Sequence, residues 1–267
     1  MKPLKFNKIY FTGASHACVY HAGVVKWLQK HSDISRLTFY GCSSGALISL
    51  TALLFPVDEV MEIYRTMEAK LISSIRENIF SLSSYQYTEV LVDVLKFIYK
   101  RYPNAHELVS GKLNIGVSSH QKFRWYNKFR SFSQLANIIM CSCHIPFLST
   151  YNSEINNIKC FDGVACVDYE HIPKDTFIVC PMNMSYANLN GNISGIHGVL
   201  PIPSELIDIY YKKGYNDMKR CMKNENFILN INRENTCQKK EPNIIWYLAR
   251  LLQYEECEHT YTIDEFE

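Results

Sequence analysis

The sequence predicts an α/β fold with a mainly parallel sheet, and three observations carry that prediction. Two strand–loop–helix units follow one another within residues 7–55, a pattern that belongs to parallel strands joined by helical crossovers. Hydrophobic residues make up 47% of the 267-residue chain and charged residues 20%, which supports a full-sized core and argues against disorder. Strand-length apolar runs recur among helix-length segments further along, as in "TFIVCP" (176–181) ahead of "SELIDIYYKKGYNDMKRCMKN" (204–224).

Taken in order, "NKIYFTG" (7–13) reads as a short buried strand, and "CVYHAGVVKWLQKHS" (18–32) has apolar residues at helical spacing. "RLTFYG" (36–41) is a second strand and "SGALISLTALLF" (44–55) a second helix. Residues 58–71 and 88–101 read as further helices, with the Ser-rich "ISSIRENIFSLSSYQY" between them as a mobile surface loop. Residues 112–146 read as strand, turn, strand and then a helix from about Ser133. "INNIKCFDG" (155–163) is a strand ending in Asp-Gly, and "TFIVCP" another strand. Residues 204–224 and "PNIIWYLARLLQY" (242–254) are helices. With no repeat, linker or low-complexity block, residues 1–254 read as one domain, followed by a frayed acidic tail over 255–267.

A formal net charge of +2 gives no footing for nucleic-acid binding. The opening "MKPLKFNKIYFTG" lacks the apolar stretch and cleavage site of a secretory signal. The apolar runs fall short of the ~18 residues that a spanning helix needs. The expectation is a cytoplasmic, non-secreted protein without a transmembrane helix. Ten cysteines, with no CxxC pairs at zinc spacing, point to reduced and largely buried thiols. Cys141 and Cys143 form a CxC, which alone does not specify a metal, and the expectation is no metal and no cofactor.

The chemistry-bearing stretch is "FYGCSSGALISL" (39–50), in which Gly41, Ser43 and Gly45 fit G-x-S-x-G between an apolar strand and an apolar helix. A nucleophile on such an elbow sits in a strained turn where small flanking residues avoid clashes. The following helix aims its N-terminal N–H groups at the reacting centre. The competing reading is a small-residue turn packed under a helix. Ser43 needs a base, and two remain open on the residues alone. A Ser-His-Asp triad of the α/β-hydrolase type places its elbow after several strands, whereas here it is the second strand–helix loop, and the last histidine, His259, lies in a polar tail. The other candidate is Asp162 in "KCFDGVACV", at a strand end where parallel sheets place their sites. The same pair also fits an ordinary Asp-Gly turn.

"FTGASHACVYHAGVVKWL", "YGCSSGALISL", "MCSCHIPF", "CFDG" and "LPIPSELIDIYYKKGYNDMKRCM", in that order, resemble the patatin-like phospholipases, especially the animal, adiponutrin-like branch. The resemblance covers roughly residues 7–223, with a less recognisable middle at 70–110. It implies a three-layer α/β/α sandwich and a metal-independent acyl-ester hydrolase. The substrate would be a phospholipid or neutral glycerolipid, met by transient contact with a membrane or lipid surface. Ser43 would be the nucleophile and Asp162 the base, with backbone donors from Gly13, Ala14 and Ser15 forming the oxyanion hole.

The chain departs from the family in that loop. Glycines usual at the positions of Ser15 and Cys18, and frequent at Ala14, are missing, and the basic residue common at Ala17 is absent. If residue 15 or 18 needs positive φ, a side chain there costs roughly 1–2 kcal/mol. A catalytically weak or inactive module that binds lipid or a protein partner is therefore the competing function. His16 reads as a surface residue of the loop or, alternatively, a side-chain donor. Val164 replaces a further glycine. Ser142 and Pro146 read as structural and His144 as a packing residue. For membrane contact, "KFRWYNKFR" (122–130) and residues 242–254 mix cations with aromatics. The competing readings are a half-buried strand and a core-packed helix.

Overall fold

The computed structural model describes residues 4–77, 87–119, 122–145, 149, 151, 153–198 and 201–224. In chain order the regular elements are β1 (Lys8–Phe11), α1 (Val19–His31), β2 (Thr38–Cys42), α2 (Ser44–Leu54), α3 (Val57–Glu77), α4 (Tyr87–Arg101), α5 (Ala105–Val109), β3 (Leu113–Ser119), β4 (Lys122–Tyr126) and α6 (Phe132–Ser142). They are followed by β5 (Glu154–Ile155), β6 (Ile158–Lys159), β7 (Phe161–Asp162), β8 (Thr176–Cys180), β9 (Leu189–Asn190) and α7 (Ser204–Lys223).

The main sheet runs β4-β3-β2-β1-β8-β9, and β7 also pairs with β3. The β1–β2, β2–β3, β1–β8 and β8–β9 pairs are parallel, while β4 and β7 lie antiparallel to β3. A mainly parallel sheet flanked by helices is the α/β fold read from the sequence. Its strands are apolar on both faces, because both faces are covered. Ile9 and Phe11 of β1, Phe39 of β2 and Phe177 and Val179 of β8 pack into the large cluster with the helices. The alternating Tyr10, Cys42, Ile178 and Cys180 face a second cluster with Ile172, Tyr186 and Ala187.

Three sequence expectations are corrected. The helix expected over 58–71 continues to Glu77, since serine does not interrupt a periodic apolar face. The single strand expected over 155–163 is broken into the β5–β6 hairpin and the two-residue β7. Asn156 and Asn157 have φ of 53° and 61°, the left-handed pair that a tight hairpin turn demands. A short helix at 105–109 adds an element that was not anticipated. The expected helix at 242–254, the acidic tail and the domain limit at residue 254 lie outside the described residues. Among the described residues no helix is long and apolar enough to cross a membrane. The eight cysteines described in the fold are all free thiols, six of them buried.

Candidate active site

β2 ends at Cys42, and the next residue, Ser43, turns with φ 54° and ψ −135° before α2 begins. A non-glycine residue in that region is strained by about 1–3 kcal/mol, and the surroundings hold it there. The Ser43 N–H donates to Ser142 Oγ at 2.9 Å, and Ser142 Oγ donates to the Gly116 carbonyl at 2.7 Å. A Cβ on Gly45 would lie 2.2 Å from the Phe11 carbonyl oxygen. The second glycine of G-x-S-x-G therefore lets α2 start against the end of β1.

Asp162 reaches the same place from another direction. Cys42 pairs with Gly116 of β3, and the next β3 residue, Val117, pairs with Asp162. β4 already occupies the other edge of β3 at Val117. β7 therefore takes the rung that β2 vacates when it turns away at Ser43. Register alone brings Ser43 and the Asp162 carboxylate to neighbouring rungs. The supporting strand is antiparallel, not the parallel strand end expected from the sequence.

Both groups are buried, Ser43 at 4% and Asp162 at 2% exposure. The Ser43 hydroxyl lies near enough to the Asp162 carboxylate to favour its charged form. Asp162 Oδ1 also accepts the Val164 N–H at 2.8 Å, and its own N–H donates to the His144 carbonyl at 2.8 Å. Burial pushes the carboxyl from 3.8 up to about 7, partly offset by the nearby Ser43 hydroxyl and by the Val164 N–H. A carboxylate that must give up hydration becomes more basic. The Cys143 thiol also lies against Ser43, and burial pushes it well above the ordinary thiol range.

His21 Nε2 donates to the Thr12 carbonyl at 2.9 Å, and burial lowers the ring to about 3. His144 is lowered to about 4 by burial. Among the described residues, neither ring hydrogen-bonds to Ser43. His259 and Pro146 lie outside the described residues. His16 is not the surface residue that its polar neighbours suggest. It is 4% exposed, with Nδ1 2.5 Å from Glu68 Oε1.

The loop after β1 passes directly over the pair. A Cβ on Gly13 would lie 3.1 Å from Ser43 Cβ and 2.2 Å from Val164 Cγ2. Of the two positions where a lost glycine could matter, Ser15 has φ 45° and is strained, while Cys18 has an ordinary helical φ of −61°. The Ala14 N–H donates to Ser44 Oγ at 3.1 Å, so this donor is engaged within the protein. Ser44 was not singled out in the sequence; its place at the N-terminus of α2, one residue past the serine, was the available signal. Beside the loop, a cavity of about 70 Å³ is lined by Ser15, Ser44 and Cys143 and by the apolar Leu47, Leu91 and Val94.

No family profile matches the chain. Among curated proteins it is 28% identical over 146 residues to the 1-acylglycerol-3-phosphate O-acyltransferase Pnpla3 of Mus musculus, covering 52% of this chain and 34% of that protein. It is also 28% identical over 150 residues to the Homo sapiens protein of the same name, covering 52% and 29%. The chain thus spans about a third of the length of these relatives. These matches bear out the resemblance to the animal branch of the patatin-like phospholipases.

Proposed function

We propose that this chain, similar as it is to the animal patatin-like phospholipases, cleaves fatty-acyl esters of phospholipids or neutral glycerolipids through a Ser43–Asp162 dyad. The observation that carries this reading is the strand register that sets the buried Asp162 beside the Ser43 elbow, with burial raising its carboxyl to about 7. Such a carboxylate is about half ionised at neutral pH and basic enough to take a proton.

Asp162 accepts the Ser43 proton as Oγ attacks the ester carbonyl. The negative oxygen is received by the N–H groups of Gly13 and Ser15 and of the first turn of α2, the Ala14 N–H being taken by Ser44. Such donors contribute ~3–4 kcal/mol each when preorganised. Protonated Asp162 then gives its proton to the departing alkoxide, leaving the acyl group on Ser43. In the second half Asp162 takes a proton from water as it attacks the acyl-enzyme, and Ser43 recovers its proton as the fatty acid leaves. The apolar cavity bounded by Leu47, Leu91 and Val94 suits the start of an acyl chain. The chemistry needs no metal, and the substrate is met at a lipid surface.

The names of the relatives favour a second fate for the same intermediate. An acyl-enzyme can be resolved by a lipid hydroxyl such as that of a 1-acylglycerol 3-phosphate, which gives acyl transfer in place of hydrolysis. The test is release of fatty acid from phospholipid and triacylglycerol by purified protein. It is run with a chelator, with and without 1-acylglycerol 3-phosphate, beside Ser43→Ala and Asp162→Asn. Activity that survives chelation and disappears in both variants supports the dyad. Wild type no faster than the variants on every substrate, with no acyl transfer, would leave the lipid-binding module as the reading.

A further inference from the structure

We propose that His16 and Glu68 form a clamp that positions the oxyanion loop, replacing the conformational role of a glycine missing at Ser15. The proposal rests on the Ser43–Asp162 reading for its catalytic consequence. His16 immediately follows Ser15, whose φ of 45° is strained for a serine, and something outside the loop must hold that turn. α3 supplies the hold at two positions one helical turn apart. Tyr64 donates from its hydroxyl to the His16 carbonyl at 2.5 Å, and Glu68 Oε1 takes the His16 side chain through Nδ1 at 2.5 Å. Facing a carboxylate, Nδ1 is assigned the ring proton and donates it.

Glu68 is itself fixed, because its second oxygen accepts the Ile202 N–H at 3.2 Å. His16 and Glu68 are 4% and 3% exposed. Little water competes for these bonds, and removing either partner strands a buried polar group. Backbone and side chain of one residue are thus tied to one rigid helix, directly after the Gly13–Ser15 turn. Neither residue touches Ser43 or Asp162 among the described contacts. They are positioning residues.

The test compares wild type with His16→Phe, Glu68→Gln, His16→Asn and Ser43→Ala. It reads kcat and KM on p-nitrophenyl butyrate, thermal midpoints, and amide exchange of the peptide spanning residues 12–18 by mass spectrometry. Asn places its amide donor where Nδ1 lies, so His16→Asn is the conservative rescue. Because one misplaced oxyanion donor costs 10²–10³ in kcat when fully lost, a loosened loop should lower kcat about tenfold or more. That drop is expected in His16→Phe and Glu68→Gln, with KM changed by less than about twofold and exchange at the loop accelerated about tenfold. His16→Asn should stay within about threefold of wild type on both readouts.

Wild-type kcat in His16→Phe and Glu68→Gln overturns the positioning role, whatever the exchange. A drop in kcat with unchanged exchange overturns the clamp as its cause. Should Ser43→Ala retain turnover, the nucleophile assignment falls by itself, and faster or unchanged loop exchange still decides the clamp.

Discussion

Replacing Asp162 with asparagine should stabilise the protein, and by an amount that grows with pH. The carboxyl is pushed from its ordinary 3.8 to about 7 because ionising it means charging a fully buried group. Each pH unit between those values is worth about 1.4 kcal/mol, so the ionised form costs the fold about 4 kcal/mol relative to the unfolded chain. The sign follows from proton counting. Between the two values the folded protein keeps a proton that the unfolded chain has lost, so this group's contribution to stability falls as pH rises towards 7.

Asparagine is close in shape, can accept the Val164 N–H, and never ionises. The stability difference between Asp162→Asn and wild type should therefore grow by about 2–3 kcal/mol from about pH 5 to about pH 8. Other titrating groups are common to both proteins and cancel. Urea unfolding followed by far-UV circular dichroism at the two pH values measures the difference. A gap that stays constant within about 0.5 kcal/mol, or a variant that is destabilised at the higher pH, would refute the argument that burial sets this carboxyl. The variant should be inactive at both, an exchange of function for stability typical of buried catalytic charges.

Three further outcomes follow from the same geometry. The acid limb of kcat/KM should fall near pH 7, where Asp162 gains its proton, and a limb near the ordinary carboxylate range in a pH–rate profile would contradict the assignment. Ser15→Gly should raise the urea midpoint by the equivalent of about 1 kcal/mol by relieving a positive φ, and turnover should hold or rise. Ser142→Ala strands the buried Ser43 N–H and the Gly116 carbonyl, and should cost about 1–3 kcal/mol in unfolding experiments with a fall in kcat.

The elbow was legible because local steric demands dictate its residues. Only glycine fits where Gly45 meets the Phe11 carbonyl, and the apolar runs on either side fix strand and helix. Asp162 was legible as a residue but not in its setting. The Asn156–Asn157 turn and the two-residue β7 depend on pairing with β3, which local propensity does not report. His16 was misjudged because its partner, Glu68, is 52 residues away on a helix whose relation to the loop is tertiary. The hold of Ser142 on the Ser43 N–H spans 99 residues and was hidden for the same reason.

The central claim is that Ser43 is an activated nucleophile. Labelling with a fluorophosphonate, followed by peptide mass spectrometry, tests it most directly. About one adduct per chain is expected, on the peptide carrying Ser43, absent in Ser43→Ala and much slower to form in Asp162→Asn. Folded wild-type protein that stays unlabelled, or an adduct that forms elsewhere and persists in Ser43→Ala, would contradict it.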